Sequence, residues 1–223
     1  GVPNDFWAEV ADTLYKTKPD AYMLAEAENP DHMNNDYFHT GYGWTFHHLI
    51  NDVAKGKKNV NDIITWRDSV RTKLNKGSLM HFITNHDENS WNGTEFERMG
   101  TAYKTFQVLT FTFDGIPLIY NGQEEPLTKR LKFFDKDEIV WKEFKDDDFL
   151  QKLCILKSSE KAMWTEPYGA TSKIIGKTDH TIAYKREMEN SKVVVVLNLS
   201  DQNRNIKFDE PINNMKDIFG AHN

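Results

Sequence analysis

Between Leu79 and Asn89 the chain changes character within a few residues, and this change limits the possible folds more than any other feature. Leu79 to Thr84 is an apolar run with the length of a buried strand. Asn85, His86, Asp87, Glu88 and Asn89 follow at once. A buried strand that ends in titratable and amide groups fits the carboxyl end of a parallel strand, where α/β folds collect their chemistry. The same residues also fit a polar turn capping the next helix, with Asp87 or Asn89 as the cap. Taken alone, the stretch leaves both readings open.

The surrounding pattern places it in an α/β layer. Asn4 offers a cap for a helix over Asp5 to Lys16, with Phe6, Trp7, Val10, Ala11 and Leu14 on one face. Ala21 to Ala25 reads as a strand ending at Glu26 and Glu28, and Tyr37 to Tyr42 as a second strand interrupted by Gly41. Helices follow over Trp44 to Val53 and Asn61 to Leu74, closed by Gly56 and Gly77. After the central strand, Glu95 to Phe113 reads as one long helix. Ile116 to Tyr120 reads as a strand with Pro117 near its start, ending before Gln123 and Glu124. Leu127 to Lys145 reads as loop, and Asp146, Asp147 and Asp148 open a helix with Phe149, Leu150, Leu153, Cys154 and Leu156 inward.

Beyond Trp164 the helical period disappears. Thr171 to Gly176, Thr181 to Arg186, Lys192 to Leu199 and Asn205 to Phe208 read as strands between polar turns. Strands alternating with helices and then strands alone predict a parallel α/β unit over residues 1–165 and a small all-β domain over 166–223.

Composition narrows the partners. The 223 residues carry a net charge of −6 and no basic stripe, which argues against a nucleic-acid backbone. Lys129, Arg130 and Lys132 form the densest basic cluster, and they alternate with apolar residues as a loop would. One cysteine, Cys154, excludes an internal disulfide, and no apolar run is long enough to span a bilayer. No compartment follows from these features. The chain opens Gly1-Val2-Pro3 without an initiator Met and reads as a piece of something longer.

Three strand ends carry polar groups: Glu26 with Glu28, His86 with Asp87, and Gln123 with Glu124. In a parallel sheet all three project to one side. Two carboxyls across a sugar-sized gap are what glycosidic cleavage needs, one to donate a proton and one to stabilise the oxocarbenium-like centre. The same pair with His86 suits a metal, although no tight His/Asp/Glu spacing supports one, and no metal is expected. His47, His48 and Asp52 at helical spacing read as surface or supporting residues. Asn92-Gly-Thr94 and Asn198-Leu-Ser200 match the glycosylation sequon, the first better explained as a turn and the second at a strand end. Neither a glycine-rich phosphate loop nor a nucleophile elbow is present.

Phe82-Ile-Thr-Asn-His-Asp87 resembles the seventh-strand signature of the alpha-amylase family, glycoside hydrolase family 13. Met23-Leu-Ala-Glu26 is similar to the fifth-strand segment, and Gly115-Ile-Pro-Leu-Ile-Tyr-Asn-Gly-Gln-Glu124 to the eighth. Asp148 to Lys157 resembles the last barrel helix, and the tail resembles the C-terminal β-sandwich. The resemblance implies the C-terminal half of a TIM (β/α)8 barrel followed by a sandwich that stops short of completion at Phe219 to Asn223. It implies Glu26 as proton donor and later base, and Asp87 as transition-state stabiliser. His86 would hydrogen-bond the sugar, Asn85 would orient the motif, and Glu28 competes with Glu26 for register.

The family's third-strand signature and its Arg-x-Asp nucleophile segment are absent from these residues, as is the region supplying its calcium site, so no cofactor is expected. The reading is a piece of a retaining α-glucan glycosidase, inactive alone, that self-associates or pairs with the other half barrel. Two alternatives stand beside it: a carbohydrate-binding or scaffold protein reusing the fold, and an α-glucan transglycosylase or isomerase.

Overall fold

A computed structural model describes residues 2–213 and 215–219. Four short strands, β1 (Leu24–Ala25), β2 (Thr40–Tyr42), β3 (Ser78–His81) and β4 (Ile116–Pro117), lie side by side in chain order, every neighbouring pair parallel. Helices fill the connections. α1 (Asn4–Thr17) leads in, α2 (Pro30–Asn34) joins β1 to β2, and α3 (Trp44–Ala54) and α4 (Val60–Lys73) join β2 to β3. α5 (Glu95–Met99) and α6 (Tyr103–Thr112) join β3 to β4, and α7 (Asp147–Ser159) follows a long irregular stretch. Because the strands are parallel, whatever follows β1 and β3 emerges at one edge of the sheet.

The ladders are shorter than the apolar runs predict. Gly41 stays inside β2, because a side chain there would sit 2.8 Å from the Ala27 carbonyl and 3.1 Å from Met33 Cε. Only glycine lets the turn after β1 pass so close. Pro117 is the last residue of β4 and not its first, paired with His81 at the sheet's edge, where a missing N–H breaks no further ladder.

Helix ends also depart from the expected ones. Asn4 is the first helical residue and Pro3 holds the cap position; the Asn4 amide reaches Asp31 at 3.4 Å instead. The long helix over Glu95 to Phe113 is broken. Thr94 and Glu97 form a capping box that starts α5, and Gly100 at φ +57° stops it before α6 begins. Asp146, Asp147 and Asp148 open α7 as expected, with Asp146 at the cap position; its buried side chain makes no cap bond and instead accepts from the Tyr103 hydroxyl at 2.6 Å and pairs with Lys104 at 2.5 Å. Leu150, Leu153 and Leu156 face inward as their spacing predicts, whereas Cys154 is exposed.

The tail forms one antiparallel sheet of β5 (Lys173–Lys177), β6 (Thr181–Met188) and β7 (Ser191–Asn198). Among the described residues it has no second sheet to make a sandwich, and residues 205–208 form no strand; the nearby Asp209 N–H donates to the Ile175 carbonyl at 2.7 Å. Residues 220–223 of the expected incomplete sandwich lie outside the described residues. Ile182, Tyr184, Val193, Val195 and Leu197 share one core with Phe46, Ile50, Ile63, Phe106 and Phe113, so the sheet continues the core built by α3, α4 and α6, with β7 against α6. Arg186 fastens this joint: its buried guanidinium donates to the carbonyls of Thr112, Phe113, Trp164 and Ala170. No helix among the described residues is long and apolar enough to cross a membrane.

Candidate active site

Glu26 is the first residue after β1, and the segment from Phe82 to Asp87 leaves β3 two strands away. Both therefore reach the carboxyl edge of the sheet. His86 Nε2 lies 3.4 Å from a Glu26 carboxylate oxygen and 3.7 Å from an Asp87 oxygen. One atom from each of the three side chains falls within 4.8 Å of the others. The side chains remain 53, 45 and 35% exposed for Glu26, His86 and Asp87, so a solute reaches all three. One imidazole nitrogen and two carboxylates at this spacing also make a set that a divalent cation accepts.

The floor is Tyr42, the last residue of β2, stacked on Trp44 at 5.5 Å and edge-on to Phe82. Burial pushes its phenol pKa up, and the charges of Glu26 and Asp87 push it further. Tyr42 therefore lies within electrostatic reach of both carboxylates, a position no local sequence signal indicated.

The back of the site is fully packed. Asn85 is buried, and its side-chain oxygen accepts the Glu88 N–H at 2.7 Å, so Asn85 caps the turn and neither Asp87 nor Asn89 does. The chain then makes a π-helical turn over Glu88–Asn92, which turns Glu88 and Asn89 inward. Glu88 lies 3.0 Å from His47 Nε2 and accepts from the Asn92 amide at 3.0 Å. Burial alone would raise the Glu88 pKa, but the His47 and Asn92 hydrogen bonds and the Arg98 charge bring it down to about 2. His47 itself is pulled below the usual histidine range by burial, against the opposing pull of Glu88. Its ring stacks on Phe82 at 4.7 Å, with Nδ1 3.1 Å from the Phe82 carbonyl. Arg98 completes the layer, donating to Asn51 and to the Gly93 carbonyl at 3.0 Å each.

The catalytic-domain profile of the alpha-amylase family matches residues 3–204. The chain belongs to the alpha-amylase family. It is 24% identical over 221 residues to a cyclomaltodextrinase of Thermoanaerobacter pseudethanolicus, covering 94% of this chain and 37% of that one. It is 25% identical over 216 residues to the alpha-amylase MalA of Haloarcula japonica, covering 90% and 30%. Among solved structures, the maltogenic alpha-amylase AmyB of Thermotoga neapolitana superposes with a TM-score of 0.75 at 22% identity, over 89% of this chain and 46% of that one. An alpha-amylase of Lactobacillus plantarum superposes with a TM-score of 0.71 at 20% identity, over 88% and 49%. The chain spans less than half the length of each of these relatives.

Other candidate residues in this alpha-amylase family chain serve the scaffold. Glu28 binds the first turn of α3, accepting the Thr45 N–H at 2.6 Å and its hydroxyl at 2.5 Å. Gln123 is buried against Gln107 at 2.8 Å, and Glu124 accepts the Gly122 N–H at 3.1 Å, so this third strand end braces its own turn. Of the two readings of His47, surface or supporting, the structure gives the second: it is buried behind the motif, with Glu88 as its partner. The adjacency of His47 and His48 gave no sign of this, because the contact joins residues far apart in the chain. Asn92 spends its amide on Glu88, as expected of a turn, and Asn198 accepts from the Ser200 hydroxyl at 2.8 Å.

Proposed function

We propose that this chain carries the acid/base side of a retaining glycosidase acting on α-glucans. The observation that supports this reading above any other is the convergence of Glu26, His86 and Asp87 at the carboxyl edge of a parallel sheet. Within it, Glu26 in its acid form gives its proton to the glycosidic oxygen as the bond to the anomeric carbon breaks. A carboxylate on the opposite face bonds that carbon. Glu26, now ionised, takes a proton from water whose oxygen then displaces the carboxylate. Asp87 and His86 hold sugar hydroxyls and stabilise the charge that develops. The substrate class in this reading follows the relatives, which are named a cyclomaltodextrinase and an alpha-amylase.

The nucleophile in this reading comes from outside the 223 residues, since no Arg-x-Asp occurs among them. The four parallel strands with their helices are half of a (β/α)8 barrel over residues 1–165, with 166–223 as an appended β unit. Two features support a missing neighbour. Among the described residues β1 and β4 each pair on one side only, and α1 presents Phe6, Val10 and Leu14 around an open concavity, with Phe6 51% exposed. A sheet edge and an apolar helix strip of this kind favour pairing with the other half barrel or with a second copy.

The experiment is maltoheptaose hydrolysis by three proteins: this chain, the chain extended at its amino end through an Arg-x-Asp segment, and the extended chain with Glu26→Gln. The expected result is turnover by the extended chain alone, with Glu26→Gln lowering it ~10²–10⁴-fold. Turnover by the 223 residues alone would refute the division of the carboxylates. Undiminished turnover in Glu26→Gln would refute the role of Glu26.

A further inference from the structure

Three large aromatic rings stand in water beside the carboxylate cluster. Trp91 is 56% exposed, Phe133 39% and Phe134 85%. They touch one another, Trp91 to Phe133 at 5.2 Å, Phe133 to Phe134 at 4.8 Å and Trp91 to Phe134 at 6.1 Å between ring centroids. Phe133 also lies nearly parallel to the His86 ring, at 6.0 Å and 25°. His86 in turn is 3.4 Å from Glu26. The apolar surface therefore runs without a gap from the open solvent to the cluster. A contiguous exposed aromatic patch of this kind marks a binding surface far more often than a tolerated accident.

The rings are held in place and not merely left outside. Trp91 rides on the π-helical turn that follows Asp87, and the segment bearing Phe133 and Phe134 is tied to that same turn. Asn89 donates its amide to the Lys129 carbonyl at 3.2 Å and accepts the Leu131 N–H at 2.8 Å. The Ser90 hydroxyl donates to the Leu131 carbonyl at 2.7 Å. Arg130 lays a fork on the Glu97 carboxylate, with contacts of 2.8 to 3.2 Å. Asp137 gathers the far end, accepting the Lys132 and Glu138 N–H groups. One turn thus positions both the reacting side chains and the rings.

We propose that Trp91, Phe133 and Phe134 form a shelf that holds glucosyl units of an α-glucan next to Glu26 and Asp87. The proposal rests on the glycosidase reading for the identity of its occupant. A pyranose ring carries its hydroxyls around the edge and C–H groups on its faces. A flat aromatic side chain covers such a face without competing for the hydroxyls, which remain free for His86 and Asp87. Continuity with the cluster selects a glucan over a protein partner: Phe133 stacks on the His86 ring, which lies 3.4 Å from Glu26, so a sugar chain that extends from Glu26 past His86 meets the rings.

The test is native electrophoresis of the 223-residue chain through gels with and without amylopectin. Four variants run beside it: Phe134→Ala, Trp91→Ala, Trp91→Phe and Glu26→Gln. The expected result is retardation of the wild-type chain, retained in Glu26→Gln and in Trp91→Phe, and weakened about tenfold in Phe134→Ala and Trp91→Ala. Phe134 is almost wholly in solvent, so its truncation leaves the core untouched. Equal retardation of all variants overturns the shelf. A wild-type chain that amylopectin does not retard overturns it too, and assigns the rings to contact with another protein surface. Weakened binding in Phe134→Ala together with full turnover in the extended Glu26→Gln chain would keep the shelf and reject the acid/base reading.

Discussion

Replacing Glu95 with Gln tests whether a buried carboxyl behind the motif is held neutral. Glu95 opens α5 and is 2% exposed. Burial raises its pKa from 4.5 to about 7, against the pull of its own backbone N–H and of Arg98 and with a further push from Asp146. The folded pKa is above the unfolded one. Stability is therefore intact below the unfolded value, falls as the pH climbs from about 4.5 to about 7, and is level above that. The span 7 − 4.5 is 2.5 tenfold steps of ~1.4 kcal/mol, a cost of about 3 kcal/mol at pH 8. Gln keeps an acceptor oxygen and cannot ionise. Its advantage over the wild type should grow from near zero at pH ~4 to about 3 kcal/mol at pH ~8, roughly 6–12 °C in Tm for a chain of this size. Thermal unfolding of both proteins by circular dichroism across that range reads the difference directly. Glu97, two residues on, supplies an internal control of opposite sign. It is exposed, paired with Arg130 and lowered to about 2, so the stability it contributes is lost as the pH falls. A difference between Glu95→Gln and wild type that stays flat with pH, or shrinks toward alkali, would refute the reasoning.

Lys157 should behave as the mirror case. Burial, followed by the Arg186 charge, lowers it from 10.5 to about 7, so its cost is full below that pH and fades as the pH rises toward the unfolded value. Lys157→Met should gain about 3 kcal/mol at neutral pH after losing its 2.8 Å bond to the Gly115 carbonyl, and urea titration should show the gain gone near pH ~10. Glu28→Ala should remove the bonds to the first turn of α3 and cost about 1–2 kcal/mol in the same titration. Turnover by the extended chain should survive that change, which separates Glu28 from Glu26.

The parts of this fold that could be read from the sequence are those where one period runs long enough to be unambiguous. Phe46, Leu49, Ile50 and Val53 repeat at helical spacing and are all buried, and Val193, Val195 and Leu197 alternate as a half-buried strand must. The failures have local causes. Five-residue α2 is too short for a stripe, although Asn29 and Pro30 are a cap and a first helical position. Apolar residues continue on both sides of Gly100 and hide the break, yet its positive φ ends the helix. Cys154, four residues after Leu150, fits the helical stripe by spacing, yet it lies at the stripe's edge and is exposed, while Leu150, Leu153 and Leu156 are buried.

For the site, motif register favours Glu26 over Glu28; in the structure Glu28 accepts two bonds from Thr45, whereas Glu26 lies beside His86. The place of Tyr42 and the Glu88 partner of His47 are not legible in the sequence, because each contact spans about forty residues of chain, a distance no spacing rule covers. The two readings of the central stretch, strand-end chemistry and capped polar turn, turn out to describe different residues of one segment. Asn85, Glu88 and Asn89 fall at spacings of three and four, so a single helical turn sends all of them inward to cap, to meet His47 and to hold the Lys129–Leu131 strand of loop. His86 and Asp87 fall between and face out toward Glu26. A burst of five polar residues is thus required on both sides of the backbone. The outward pair needs a fixed position and open access, and a buried inward set anchored through Asn85 Oδ1, the Glu88 carboxylate and the Asn89 amide supplies the first without blocking the second.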